Sequence, residues 1–454
     1  MEDIQKKTTI NLERMIHLKG TKLIIFSFLF MIILGTLLLS LPVSSTDGEG
    51  LPLIDALFVS TSASCVTGLT VVDVKNDLTL FGKIVLLMLI QIGGLGIMTV
   101  ATLVMHNMGY RFTKKEFLVL QQSLNQDTGV GFWALIRHMI KYTFIVEGFF
   151  AVLLSIHFYP EFGIDCIGYG IFHSVSAFCN AGFDLFGNYD SLTRRADDFF
   201  LLGSIGTLIV LGGIGFTVMY EIIHGRSWGR FSLHTKIVLA ASGILTLFGT
   251  VLLYAVGSTN PQTLGNLDTG ERIAQSLFMS ISCRTAGFNT FDLGVSTQIT
   301  QLTMIILMFI GASPLSTGGG IKTTTFFVVF MSMWSVFRGR GKVVVFGRTV
   351  PQKMQQHSFA IFTIAIIWVV TAGVILSTLN GQQYELEKVL FETVSAFGTV
   401  GMGIGITSDW DAWGKLVLSL TMLVGRVGVL TFMMAVINQQ KMEAKHPPEN
   451  IMVG

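Results

Sequence analysis

The sequence predicts an all-α integral membrane protein: four tandem helix–pore-loop–helix repeats, eight transmembrane helices in all, around a pseudo-fourfold central pore. Three observations carry that prediction. Hydrophobic residues make up 51% of the 454 residues and charged residues only 13%, a balance suited to a bilayer rather than to water. Apolar runs recur at lengths that bridge a hydrocarbon core of about 30 Å at about 1.5 Å per residue. Finally, Gly68, Gly182, Gly287 and Gly401, each between small residues and an apolar one, recur at intervals of 114, 105 and 114 residues (68 to 182, 182 to 287, 287 to 401).

The elements follow in order. A cytoplasmic N-terminal segment, 1–22, precedes repeat 1 (23–110), repeat 2 (111–225), repeat 3 (226–345) and repeat 4 (346–437), and a cytoplasmic tail covers 438–454. The first helices are expected at Lys22 to Leu41, His138 to Phe158, His234 to Val256 and Ser358 to Leu379. The second are expected at Leu80 to Met105, Phe199 to Ile223, Thr300 to Phe337 and Trp413 to Ile437. The run from Leu23 to Leu41 follows a basic start, as a signal peptide does, but it exceeds the usual h-region and the repeat needs it, so it reads as an uncleaved membrane helix. Between the spans lie segments too short to cross: Leu53 to Ala63, Gly168 to Phe178, Glu271 to Ile281 and Leu386 to Ala396. These read as pore helices, with an apolar residue, Phe58, Phe172, Leu277 or Phe391, ten positions before the glycine. Asp55, Glu271 and Glu387 near three of their starts suit the positive end of a helix dipole. The negative ends then face the return loops, where a cation is stabilised.

Charge placement gives orientation. The segments 1–22, 106–137, 224–236, 337–357 and the tail from Asn438 hold nineteen basic residues. The glycine-bearing loops hold eight, against nineteen acids that include Asp47, Glu49, Asp197, Asp198, Asp409 and Asp411. The positive-inside rule therefore puts both termini in the cytoplasm and an acidic mouth outside, which concentrates cations before entry. A net charge of +2 points to no nucleic-acid partner, and four cysteines without a CxxC pair give neither a disulfide framework nor a zinc site. The nine histidines are scattered.

Thr399-Val400-Gly401-Met402-Gly403 nearly spells the backbone strip with which potassium channels coordinate a dehydrated ion. A glycine there lacks Cβ and lets the neighbouring carbonyls turn toward the axis. The expected lining is Cys65, Val66, Thr67 and Gly68; Cys179, Asn180, Ala181 and Gly182; Arg284, Thr285, Ala286 and Gly287; and Gly398, Thr399, Val400 and Gly401. It acts through backbone oxygens, with side chains such as Asn180 and Arg284 pointing away. A single such tripeptide merely closes a turn; four in matching hairpins argue for a pore. Cys65, Cys179 and Cys283 read as small apolar packers rather than reactive thiols.

The second helices carry a further alignment: Gly94, Gly213, Ala312 and Arg426 occupy equivalent positions. Small residues there serve close helix packing. Arg426 is different, because a charge midway through an apolar span costs at least about 2.5 kcal/mol unless it meets water or a partner. It reads as a gate or barrier below the pore, with structural pairing, for instance to Glu147, as the alternative. Repeat 3 departs from its siblings: 38 residues from Thr300 to Phe337 span about 57 Å if helical, more than a bilayer needs. Its interruption, 311–325, contains Gly311, Ser313, Pro314, Ser316, Thr317, Gly318, Gly319, Gly320 and Lys322. Non-helical backbone at this depth survives only when buried in protein or lining a wet cavity. A mobile intramembrane gating loop and a static kink are both compatible with it.

On these residues the chain resembles the Trk/Ktr/HKT superfamily of cation transporters, and within it the membrane subunits of bacterial Ktr systems. The resemblance runs from about Lys22 to Ile437 and rests on the four filter glycines, on Ser316-Thr317-Gly318-Gly319-Gly320-Ile321-Lys322-Thr323, and on Gly425-Arg426. It implies channel-like potassium uptake across the bacterial plasma membrane, influenced by sodium and gated by the loop and the arginine. It also implies a homodimer seated on a cytoplasmic ring of nucleotide-binding RCK subunits of the KtrA/KtrC type. The chain has no Rossmann segment and no cofactor of its own, so nucleotide acts only through that partner. The basic cytoplasmic face suits such a ring and suits anionic membrane lipid equally. Two other classes are weaker. An ion-coupled (H+ or Na+) secondary carrier places ionisable residues inside its spans, and only Glu147, Lys322 and Arg426 qualify. An enzyme is disfavoured because no paired carboxylates, His cluster or Ser-His-Asp set recurs at membrane depth.

Overall fold

The structure is a computed structural model and describes residues 22–96, 99, 132–225, 227–379 and 383–436. The basic N-terminal segment, most of the 106–137 link, the ends of the second helices at Met105 and Ile437, and the C-terminal tail lie outside the described residues. Among the described residues four helices are long and apolar enough to cross a membrane, and a bent pair, Phe199–Gly213 with Phe216–Ile223, makes a fifth if it is one span. The four are the first helices of the repeats: α1 (Lys22–Leu39), α4 (Phe132–Phe162), α8 (Leu233–Gly257) and α12 (Gln352–Leu379). Their large apolar side chains, Phe26, Phe30, Phe144, Ile145, Leu247 and Ile367 among them, are exposed, as lipid-facing surfaces are.

The four short helices are α2 (Leu53–Cys65), α5 (Cys166–Cys179), α9 (Thr269–Ser282) and α13 (Leu386–Gly398). At 13 or 14 residues each is about 20 Å long, short of the hydrocarbon thickness. Hydroxyl groups tie them to the first helices. Ser60 donates to the Ile32 carbonyl at 2.8 Å, Ser174 to that of Glu147 at 2.7 Å and Ser280 to that of Thr246 at 2.8 Å. In repeat 4 the corresponding Thr393 bonds back to Val389 within its own helix. A buried hydroxyl without a partner costs about 1–3 kcal/mol, so these bonds hold the short helices of repeats 1, 2 and 3 against their first helices.

The second helices begin at well-formed caps. Thr79, Asp198, Thr297 and Asp411 accept the amides of Gly82, Leu201, Thr300 and Gly414, satisfying one of the orphan donors at each start. They open α3 (Leu80–Leu95), α6 (Phe199–Gly213), α10 (Gln298–Phe309) and α14 (Ala412–Val427). Here the expectation of continuous spans fails. Beyond repeat 3, where an interruption was expected, α3, α6 and α14 also stop, at Gly96, Gly215 and Gly428, with φ of +84°, +99° and +92°. After Gly215 the chain resumes as α7 (Phe216–Ile223), turned by 100°. After Gly428 it resumes as α15 (Val429–Val436). Hydropathy misses the breaks in repeats 1 and 2 because they interrupt no apolar run, and a Gly-Gly-x-Gly stretch looks like a packing surface.

The repeats close into a ring. Each short helix packs on the second helix of the preceding repeat: α5 on α3, α9 on α6, α13 on α10, and α2 on α14. An ion pair between Lys415 and Asp55, 2.6 Å apart, joins the last repeat to the first. The second helices approach so closely that a Cβ on Gly93, Gly212 or Gly425 would strike the carbonyl of Ser64, Phe178 or Phe397 at the end of the same repeat's short helix. Overpacked backbone contacts of this kind cost about 1–3 kcal/mol. Gly212→Ala should therefore lower the melting temperature of the detergent-solubilised protein. Gly203→Ala, on the same helix with open space around it, should leave the temperature unchanged or raise it slightly.

Repeat 3 also corrects one alignment. Leu277, expected to pack like Phe58, Phe172 and Phe391, is 42% exposed, and Phe278 takes the buried place instead. The third loop is thus one residue shorter between its packing aromatic and its glycine. Between α10 and α11 (Thr323–Phe337) lies the interrupted stretch, and after α11 a two-stranded hairpin, β1 (Val344–Val345) with β2 (Arg348–Thr349), covers Ile237 and Val350.

Candidate ion pathway and the loop beneath it

Each short helix runs directly into its strip, so its negative end faces the axis of the ring. The residue two before the glycine is left-handed in every strip: Val66 at φ +57°, Asn180 at +61°, Thr285 at +80° and Thr399 at +50°. Gly68, Gly182, Gly287 and Gly401 follow at +100°, +68°, +83° and +91°, while Thr67, Ala181, Ala286 and Val400 between them do not have positive φ. Alternating hand turns successive carbonyls toward one side. Left-handed valine and threonine are strained, a cost met where surrounding structure over-determines the backbone, as it commonly does at functional sites.

The glycines meet around the axis. A Cβ on Gly68 would lie 2.5 Å from the Ala181 oxygen, and one on Gly182 would lie 2.8 Å from that of Ala286. On Gly287 it would strike Val400, and on Gly401 it would strike Thr67. The strips therefore touch cyclically, each glycine against the carbonyl that precedes the next. Serines pin them from behind: Ser62 and Ser395 accept the Gly68 and Gly401 amides at 3.0 and 3.1 Å, and Ser176 donates to the Phe183 carbonyl at 2.6 Å. Among the described residues no protein donor is found for the carbonyls of Val66, Thr67, Asn180, Ala181, Thr285, Ala286, Thr399 or Val400, although these residues are wholly buried. Buried carbonyls without donors are rare, and a ring of them suits a dehydrated cation.

The predicted lining residues fall into two groups. Cys65, Cys179 and Gly398 are the last residues of their helices and are buried in protein. Arg284 turns outward, donating from Nη2 to the Thr246 hydroxyl on α8 at 2.9 Å. Asn180 packs sideways: its amide nitrogen lies 3.1 Å from the Ala177 carbonyl and 3.3 Å from that of Ile209, and its oxygen accepts from the Thr285 hydroxyl.

The interrupted stretch of repeat 3 lies against the strips. Its ends are stitched together, with Gly311 N–H donating to Ile321, Thr323 N–H to Ala312, and the Ser313 and Thr323 hydroxyls 3.1 Å apart. Toward repeat 2, the Ser313 and Thr317 amides donate to Gly213 and Gly212, and the Thr317 hydroxyl to Phe178. Toward repeat 4, the Gly319 amide donates to the Thr399 hydroxyl at 3.1 Å and the Gly320 amide to the Gly425 carbonyl at 3.2 Å. Gly318 and Gly319 sit so close to Thr285 and Thr399 that neither has room for a Cβ. Ser316 donates to Ser313 at 2.6 Å and Lys322 folds back onto the Gly318 carbonyl at 2.7 Å. Pro314 presents its carbonyl to Gly215.

Arg426 adds a further tie to the loop. Its guanidinium donates to the Thr317 carbonyl, to Gly93 and, at 3.3 Å, to Gly94. The loop is thereby bonded to repeats 2 and 4 and, through Arg426, to repeat 1. The alternative pairing with Glu147 is not formed: that carboxylate accepts from Gln91 at 3.2 Å and from the Cys179 thiol. Sequence reasoning missed the hydroxyls of Thr285 and Thr399 as loop contacts, and missed His173 and Glu392, which accept the Leu185 and Ile404 amides just beyond the strips. Their signal was positional: His173 and Glu392, polar residues inside short apolar helices, stand at the same offset of nine from Gly182 and Gly401.

Comparison with known proteins accords with this arrangement. The TrkH family of cation transport proteins matches residues 11–445. The Ktr system potassium uptake protein B of Vibrio alginolyticus is 39% identical over 436 residues, 95% of this chain and 94% of that protein. Its namesake in Bacillus subtilis is 36% identical over 428 residues, 94% and 95% of the two chains. The potassium/sodium uptake protein NtpJ of Enterococcus hirae is 35% identical over 444 residues, 96% and 98%. The crystal structure of the potassium transporter TrkH from Vibrio parahaemolyticus has the same fold, with a TM-score of 0.66 at 19% identity, covering 90% of this chain and 84% of that one. This multi-pass membrane protein belongs to the TrkH/Ktr family of cation transporters and is not an enzyme.

Proposed function

We propose that the chain is the membrane subunit of a potassium-uptake system of the plasma membrane, passing K+ as a channel does. The ion sheds water at the ring of four glycine strips and is barred beneath it by the loop 311–325 and Arg426. The observation that carries this reading is the cyclic contact of the four strips, each with carbonyls that have no protein donor. The potassium uptake named in the relatives from Vibrio and Bacillus supports the choice of ion. The potassium/sodium title of the Enterococcus relative supports an influence of Na+. Membership of named Ktr systems supports a partner, for which we propose a cytoplasmic nucleotide-binding ring of the RCK type under a homodimer, with both termini cytoplasmic. An inside-negative potential supplies about 2.3 kcal/mol per unit charge per 100 mV, enough to accumulate K+ without coupling to a second ion.

The test is rubidium uptake into potassium-loaded proteoliposomes holding the purified protein. Uptake should follow the potassium gradient and the voltage and be indifferent to an imposed pH gradient. Uptake that requires a proton or sodium gradient at zero voltage would replace the pore with a coupled carrier.

A further inference from the structure

The proposed function does not use three side chains that perform one task in three repeats. In repeat 2, His173 is wholly buried with Nδ1 2.8 Å from the Tyr169 carbonyl. That contact requires the proton on Nδ1 and leaves Nε2 as an acceptor, which takes the Leu185 amide at 3.3 Å. In repeat 3, the Met279 sulfur takes the Thr290 amide at 3.4 Å. In repeat 4, Glu392 Oε1 takes the Ile404 amide at 3.3 Å, and both carboxylate oxygens accept the Thr407 hydroxyl at 2.9 Å. Leu185, Thr290 and Ile404 each lie three residues beyond the filter glycine. His173 and Glu392 lie nine residues before it, and Met279 eight, matching the shorter third loop. The site in repeat 1 is Val59, buried and without any acceptor.

We propose that His173, Met279 and Glu392 are positioning residues that set ion selectivity by anchoring the chain where it leaves the ring, and that the first strip, opposite Val59, is the one left unanchored. The inference rests on the pore reading above. An imidazole, a thioether and a carboxylate share one property here, an acceptor at one height behind the strip, so the acceptor rather than charge or shape is what the position retains. A strip tied by a serine, at the Phe183 or Phe288 carbonyl just after its glycine in repeats 2 and 3 or at the Gly401 amide in repeat 4, and tied again three residues beyond the glycine, holds its carbonyls at a fixed radius, and K+ and Na+ differ in the radius they require. A strip pinned once can draw inward around the smaller ion.

The experiment is competition of Na+ against rubidium uptake in proteoliposomes for the unaltered protein, His173→Leu, His173→Gln and Met279→Leu, with melting temperatures measured in parallel. Leucine removes the acceptor in each case, nearly without a volume change at Met279, and glutamine restores one at position 173. His173→Leu should lower the Na+ concentration that halves uptake by about tenfold, Met279→Leu by about threefold for its weaker acceptor, and His173→Gln should stay within about twofold of the original. Leucine variants that keep the original Na+ sensitivity would overturn the proposal. So would a glutamine variant as sensitive as leucine at equal melting temperature, which would make the site one of packing. Absence of rubidium uptake in the unaltered protein would instead count against the pore reading itself.

Discussion

Replacing Arg426 with alanine should raise rubidium uptake at least about tenfold. The guanidinium holds the Thr317 carbonyl of the loop to the Gly93 and Gly94 carbonyls of the first repeat. Hydrogen bonds to a charged group contribute about 1.5–3 kcal/mol each, so losing this set frees the loop from one of the repeats it spans. On the proposed pathway the substitution also removes a positive charge from the route of a cation. At an effective dielectric constant of about 20, two unit charges 4 Å apart repel by about 4 kcal/mol, an upper bound once mobile water screens the pair. Either contribution alone exceeds the 1.4 kcal/mol that corresponds to a factor of ten. Arg426→Lys separates them, since lysine keeps the charge and loses the planar fork. Uptake by the lysine variant should lie between the other two. A lysine variant that matches the original would make charge the whole barrier, and one that matches alanine would make the bonded closure the whole barrier. Unchanged uptake in Arg426→Ala would remove the residue from the gate.

The second large effect is expected at the ring. Gly401→Ser places a side chain where φ is +91° and where a Cβ meets the Thr67 carbonyl and the Gly68 Cα. The strip must then move, at a cost of about 1–3 kcal/mol from the backbone alone, and with it the Val400 carbonyl that meets Gly287 of repeat 3. Discrimination between K+ and Na+ should fall by about tenfold, measured as the Na+ concentration that halves rubidium uptake, while total cation flux changes less. The same substitution at Gly405, also left-handed at +88° but with open space around it, is the control for strain without a displaced ring. Equal effects at both positions would assign the change to folding. A Gly401→Ser protein with the original selectivity would exclude the strip from ion selection.

Much of this molecule was legible in the chain because the repeats report on one another. One Thr-Ala-Gly carries no information, whereas Gly68, Gly182, Gly287 and Gly401 at matching places in four hairpins constrain a common geometry. The interruption after Phe309 was legible for a different reason: 38 residues from Thr300 to Phe337 exceed what a bilayer can hold. What stayed hidden lacks a hydropathy signal. Gly96 and Gly428 end their helices, and Gly215 starts the next one, through backbone angle, and an apolar run looks the same whether it is straight or bent. The shift from Leu277 to Phe278 escaped because neighbouring apolar residues are interchangeable to a pattern, while only one faces the core. His173, Met279 and Glu392 share no residue type, so a search by chemical class passes over a position defined by height above the strip.

The bond from the Phe216 amide to the Leu315 carbonyl, 2.8 Å long, joins the loop to the first turn of the helix that leaves Gly215 at 100°. Phe216–Ile223 is thus a lever arm with its pivot at a residue that touches the Pro314 carbonyl. If the loop withdraws as the proposed gate, it unseats the short end of this lever, and by reciprocity any torque on the long end changes the work needed to withdraw the loop. On the proposed gating reading, the loop is therefore coupled mechanically to residues no ion would touch, out to Tyr220 and Ile223.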